Sequence, residues 1–253
     1  MRWLLACALA LVPAASVADA PLPVATAQVL ERLPHDRTAF TEGFFVDGGV
    51  FYESTGQVGR SYIRRVDPAT GKVLKQVAVP PPYFGEGIAK VGAEIVSLTW
   101  QNGTGFRWRA SDFAKVGSFR YTGEGWALAS DGPLLVMSDG TATLRVLDPR
   151  TLGVKRTIAV TLRGEPLPDL NEIEIVDGEI LANVWHADAI VRIDPASGRV
   201  TGLIDLSALA AEVKVPDPEG VLNGIAWDKA KRRLYVTGKL WPTVFRIAWP
   251  PKG

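Results

Sequence analysis

A strand-opening signature recurs five times along the chain and leaves little freedom in what it can fold into. Thr41-Glu42-Gly43, Gly85-Glu86-Gly87, Gly123-Glu124-Gly125, Asn171-Glu172-Ile173 and Asn223-Gly224-Ile225 each introduce a short apolar run, at spacings of 38 to 52 residues. The end of a second strand follows each opening, at Glu53-Ser54, Thr99-Trp100, Ser138-Asp139, Val184-Trp185 and Thr237-Gly238-Lys239. An acidic turn is the third mark: Asp67-Pro68-Ala69-Thr70-Gly71, Asp148-Pro149-Arg150-Thr151-Leu152-Gly153 and Asp194-Pro195-Ala196-Ser197-Gly198. Proline fixes φ in such turns and glycine takes the positive φ. Between the marks, residues 62–66, 143–147, 190–193 and 243–247 are short, β-branched and partly alternating, which is the period of strands. Four short strands per repeat of about 40–50 residues make a propeller blade, so the chain is expected to be all-β, a five-bladed β-propeller over residues 40–248. The last repeat has room for three strands only. Residues 27–33 can supply the fourth, closing the ring with an N-terminal strand and leaving no open edge. No blade buries its faces alone, so residues 19–253 are expected to form a single domain.

The residues ahead of the repeats read as an address. Met1-Arg2, an apolar run over 3–15 and Ser16-Val17-Ala18 form a secretory signal peptide, residues 1–18, cut after Ala18. The run is shorter than the roughly 20 residues that span a bilayer, and too few residues precede Cys7 for a lipoprotein signal. A periplasmic or secreted protein without a membrane anchor follows, and a monomer is expected. The only cysteine, Cys7, leaves with the leader, which excludes a disulfide framework and cysteine-based metal or nucleophile chemistry; two histidines exclude a His-rich metal site. With 28 Lys+Arg against 27 Asp+Glu, no nucleic-acid partner is indicated. Near-zero net charge also gives no electrostatic preference among substrates, so selectivity is expected from the pocket itself.

Up-and-down blades put the start of each first strand and the end of each second strand at one mouth of the ring. Glu42, Glu86, Trp100, Glu124, Trp126, Asn171, Trp185, Asn223 and Lys239 should therefore converge there, with the Asp-Pro turns at the other mouth. A Glu walled by Trp rings has a raised pKa, because desolvation disfavours its charged form. Such a group can take and return a proton near neutral pH. The bland reading is that Glu-Gly merely opens a strand and that each Trp is core. His35 and His186 read as lone structural or exposed residues, His186 within reach of the rim.

Phe40-Thr41-Glu42-Gly43, Tyr52-Glu53-Ser54-Thr55-Gly56, Phe84-Gly85-Glu86-Gly87-Ile88, Leu98-Thr99-Trp100, Gly123-Glu124-Gly125-Trp126, Met137-Ser138-Asp139-Gly140, Leu170-Asn171-Glu172, Ala182-Asn183-Val184-Trp185, Leu222-Asn223-Gly224-Ile225-Ala226 and Val236-Thr237-Gly238-Lys239-Leu240-Trp241-Pro242 together resemble the plant-type glutaminyl-peptide cyclotransferases, or glutaminyl cyclases. The motifs run in order over residues 38–248. The resemblance implies a five-bladed propeller that converts N-terminal glutaminyl residues of peptides and proteins to pyroglutamyl and releases ammonia, with no catalytic metal and no cofactor. It implies Glu86 as the catalytic acid/base, with Asn171 and Lys239 beside it, and Trp100, Trp126 and Trp185 as the tryptophans of the site. Phe40, Glu42 and Glu124 complete the expected substrate-binding set. Plant members carry Gln where this chain has Glu42.

Two readings from other classes compete. A metal-dependent lactonase of the gluconolactonase type would use Glu42, Asn171, Asn223 and Asp228 as oxygen ligands. A non-catalytic propeller that binds peptides would need no buried ionisable Glu.

Overall fold

The computed structural model describes residues 21–251, and the signal-peptide reading of residues 1–18 falls outside the described residues. Five antiparallel sheets are arranged as blades. Blade 1 is Thr41–Asp47, Val50–Thr55, Tyr62–Val66 and Val73–Ala78; blade 2 is Gly85–Val91, Glu94–Thr99, Thr104–Arg109 and Lys115–Arg120. Blade 3 is Ala127–Ser130, Leu135–Ser138, Thr143–Leu147 and Val154–Ala159; blade 4 is Leu170–Val176, Glu179–Val184, Ala189–Ile193 and Val200–Asp205. Blade 5 has Leu222–Asp228, Arg233–Gly238 and Thr243–Ile247, and its outermost strand is Val29–Pro34 from the N-terminal side. The expected closure is therefore present, in the register Val29↔Ile247 to Pro34↔Thr243.

The first strands of neighbouring blades touch one another in a closed inner ring. Their sequences account for that position: Leu170–Val176 and Leu222–Asp228 are buried along their whole length, whereas the outer strands Val73–Ala78 and Lys115–Arg120 alternate exposed with half-buried residues. Apolar side chains of successive blades interlock into the core, for example Ile173, Ile180 and Val191 of blade 4 against Val136 and Leu144 of blade 3.

Glycine explains how the ring closes so tightly. A Cβ on Gly87 would lie 2.3 Å from the Ala127 Cα, and one on Gly43 would lie 2.6 Å from the Ile88 nitrogen. Gly43 and Gly87, in the first two Glu-Gly pairs, are there so that the backbones of adjacent inner strands can meet. The acidic turns close as expected, with Asp67 Oδ1 accepting from Thr70 N at 2.9 Å and Asp148 Oδ1 from Thr151 N at 2.9 Å. Gly71 and Gly198 take the positive φ, but in the middle turn Leu152 does so and Gly153 does not. Leu152 is buried against Leu147 and Leu128, and that burial offsets the strain.

Three elements were not expected from the sequence. Val24–Thr26 adds a parallel fifth strand to blade 4, Thr161–Leu162 and Glu165–Pro166 form a small hairpin, and a short helix, Ser207–Val213, lies between blades 4 and 5. No helix among the described residues is long and apolar enough to cross a membrane.

Candidate active site

The inner strands of blades 1, 2, 4 and 5 each carry a register shift at their opening, between Thr41 and Gly43, Gly85 and Ile88, Leu170 and Ile173, and Leu222 and Ile225. A bulge re-aims the residue it contains, and the residues so placed are Glu42, Glu86, Asn171 and Asn223. In blade 3 the corresponding place belongs to Trp126. Its carbonyl accepts from Gly87 N at 3.0 Å, just as the Glu86 carbonyl accepts from Ser54 Oγ and the Asn171 carbonyl from Ser138 Oγ, both at 2.7 Å. This corrects the expectation that Glu124 opens the third inner strand: that strand starts at Ala127, and Glu124 lies in the loop before it. The Gly-Glu-Gly triplet imitates the opening two residues too early.

At this mouth a cavity of about 350 Å³ is lined by Phe40, Glu42, Phe84, Glu86, Trp100, Trp126, Asn171, Trp185, Glu219 and Lys239. Every expected site residue except Glu124 and Asn223 lines it. Glu124 stands behind two of the indoles, its Oε2 accepting from Trp100 Nε1 and Trp126 Nε1, both at 2.8 Å. One carboxylate thereby fixes both ring orientations. The aromatic wall is two runs of rings, tied together through the Glu124 carboxylate. Phe40 meets Phe84 edge-on at 6.2 Å, Phe84 meets Trp100 at 5.7 Å, and Trp126 meets Trp185 edge-on at 5.9 Å. His186 sits on the rim with its ring 4.6 Å from that of Trp185. His35 is not at the mouth: it is buried between Glu53 Oε1 at 3.0 Å and the Trp241 carbonyl at 2.6 Å. Phe84 and Glu219 are the lining residues missed in sequence. Phe84 lies two positions before Glu86 and was legible from that spacing, whereas Glu219 had no signal beyond the long interval between the last two openings.

The polar side of the cavity is built around an ion pair. Lys239 Nζ lies 2.8 Å from Glu42 Oε1 and 4.6 Å from the centre of the Phe40 ring. Asn223 Nδ2 donates to Glu42 Oε2 at 3.2 Å and to the Thr41 carbonyl at 2.8 Å. The Glu86 carboxyl is buried and has no side-chain hydrogen bond among the described residues. The Asn171 side-chain oxygen is likewise buried and unpartnered. Burial raises Glu86 well above the ordinary carboxylate value, the Glu42 charge adding to the rise and Lys239 opposing it. Burial also raises Glu42, to about 7, against the pull of Lys239. Burial would lower Lys239, but the facing Glu42 and Glu86 carboxylates outweigh it and hold the ammonium form. The direct pairing favours ionisation of Glu42, so Glu86 is the carboxyl that retains a proton.

Asp228 ends the strand that Asn223 begins, and it lines a separate cavity at the opposite mouth with Asp47, Asp131 and Glu174. The oxygen-ligand set expected for a lactonase is thus split between the two mouths.

A family model described as glutamine cyclotransferase matches residues 3–249. The chain belongs to this family. Glutaminyl-peptide cyclotransferase of Arabidopsis thaliana is 42% identical over 224 residues, covering 87% of this chain and 70% of the plant protein. The crystal structure of Myxococcus xanthus glutaminyl cyclase superposes with a TM-score of 0.85 at 36% identity, covering 90% of this chain and 98% of that one. In this cyclotransferase the expected blade count, ring closure and convergence of aromatic and carboxylate side chains on one mouth are all present.

Proposed function

We propose that the protein is a glutaminyl-peptide cyclotransferase, in which Glu86 moves the proton that closes an N-terminal glutaminyl residue into pyroglutamyl. Membership of the family and the two relatives support the activity. The observation that carries the residue roles is a buried, unpartnered carboxyl on the floor of an aromatic cavity.

The reaction joins the substrate's α-amine nitrogen to its own side-chain amide carbon and breaks the bond from that carbon to the amide nitrogen, which leaves as ammonia. Both reacting groups belong to one residue, so the main requirement is to hold it in a coiled, near-attack shape. Trp100, Trp126 and Trp185 provide flat apolar walls for the side-chain methylenes. Glu86 gives the proton it holds to the departing nitrogen and takes in its place the proton that the amine must shed, so no net proton is gained or lost by the enzyme. Its raised pKa brings its proton affinity toward that of an α-amine, near 8, and makes transfer in both directions inexpensive. Asn171 and the Lys239 ammonium lie where they can stabilise negative charge as it develops on the amide oxygen. Glu42 keeps Lys239 in place and charged.

The protein acts on peptides with an N-terminal Gln, as a monomer and as a single domain. The apolar leader and its small-residue cleavage site support export after processing at Ala18. Incubation of the purified protein with a Gln-Ala peptide tests the reading: release of ammonia with the matching loss of mass is expected, and absence of both overturns it.

A further inference from the structure

The charge around the cavity is unbalanced although the chain as a whole is not. Four charged side chains line it, Glu42, Glu86, Glu219 and Lys239. Glu42 and Lys239 neutralise each other, and Glu86 retains its proton. Glu219 is left over: its carboxylate has no hydrogen bond or ion pair with any described residue. Its charge bears on both Glu42 and Lys239.

Glu219 belongs to the segment between the helix Ser207–Val213 and the first strand of blade 5, the insertion that makes the last repeat interval the longest. That segment is pinned to the strand end that carries Lys239. Lys239 N donates to the Val221 carbonyl at 2.9 Å, Trp241 Nε1 to the Gly220 carbonyl at 2.9 Å, and Glu219 N to Asp217 Oδ1 at 2.9 Å. The backbone under Glu219 is therefore held, while its half-buried side chain remains free. The cavity floor is closed by the buried Glu42, Glu86 and Asn171, and its open end is flanked by Trp100 and Trp185, which are 38% and 37% exposed. A terminal Gln that enters side chain first must send the following residues out across this rim, past Glu219.

We propose that Glu219 is a specificity-determining residue that favours peptides with a positive charge directly after the N-terminal Gln and disfavours those with a negative one. The assignment rests on the cyclotransferase reading. At a partly screened surface, two unit charges about 7 Å apart change association by about fivefold. A Lys-for-Glu exchange in the substrate then spans about tenfold or more at low salt, shrinking as salt screens it.

The test compares kcat/KM for Gln-Lys, Gln-Ala and Gln-Glu peptides in the wild type and in Glu219→Gln, at low and high ionic strength, with melting curves to confirm folding. The wild type is expected to prefer Gln-Lys over Gln-Glu and to lose that preference in high salt. In Glu219→Gln the Gln-Lys to Gln-Glu ratio should contract toward one already at low salt. A loss common to all three peptides, which leaves the ratio unmoved, overturns the assignment, as does a wild type with no preference. No turnover of Gln-Ala by the wild type would instead overturn the underlying reading.

Discussion

Replacing Glu86 by Gln should move turnover and stability in opposite directions. Gln keeps the shape of the side chain and opens no cavity, so the change is confined to one titrating proton. In the folded protein burial holds this carboxyl well above its ordinary value of 4.5, to which it returns on unfolding. Between those two values the folded state retains a proton that the unfolded state has released. Stability therefore falls as pH rises across the window, by about 1.4 kcal/mol per pH unit. The cost accumulates at that slope for as long as the window lasts, and Gln does not incur it. Glu86→Gln should thus melt together with the wild type at pH 4 and above it as pH rises, by about 2–4 °C for each kcal/mol of relieved cost. Its ammonia release from a Gln-Ala peptide should fall by about 10²–10⁴-fold. Thermal melting followed by circular dichroism from pH 4 to pH 7, alongside the ammonia assay, reads both. Parallel melting temperatures at every pH would refute the perturbed carboxyl, and retained turnover would refute its catalytic role.

Lys239→Ala leaves the Glu42 carboxylate buried without its cation and should cost about 3–5 kcal/mol in denaturant unfolding, with part recovered in the double variant that also carries Glu42→Gln. Glu53 behaves oppositely to Glu86: burial alone would raise it, but His35, Arg64 and Thr41 hold it down to about 2. Its ionised form stabilises the fold above pH 4.5 and that contribution, about 3 kcal/mol, is lost as pH falls toward 2; acid unfolding of Glu53→Gln should lack this limb and start from a less stable state. Gly87→Ala would force a methyl group into the Ala127 backbone, which has no flexible side chain to move aside, and should destabilise by about 3 kcal/mol or cost the soluble yield altogether.

Much of the architecture was legible because each blade has to solve the same local problems. Every inner strand needs an opening that lets neighbouring backbones meet, and three of the third-strand ends need an aspartate that captures the next turn. Such constraints recur at a fixed interval and show up as a repeat. The elements that stayed invisible answer to contacts made only once. The helix Ser207–Val213 is too short to display a period and is held by Leu209 and Val213 in the core between blades 4 and 5. Val24–Thr26 becomes a strand only because Val200–Asp205 offers a free edge. Leu152 shows the limit from another side, since a left-handed turn position expected to hold glycine is occupied by a residue that the core needs. The site divides in the same way: Glu86 and the three tryptophans sit on repeated positions, while Glu219 sits on an insertion.

The equivalence of the five openings explains why one glutamate rather than another carries the chemistry. Glu42, Glu86, Trp126, Asn171 and Asn223 occupy corresponding places, so the backbone offers each of them the same aim at the mouth, and the site's function lies in how these places differ. Two neighbouring places hold buried carboxyls in one aromatic-walled cavity, where both cannot ionise cheaply. Lys239 breaks the tie. It comes from the end of the second strand of blade 5, next to blade 1 across the ring closure, and so reaches Glu42 rather than Glu86. The strand order that closes the propeller thereby decides which carboxyl is kept as a fixed anion and which is left to exchange a proton with the substrate.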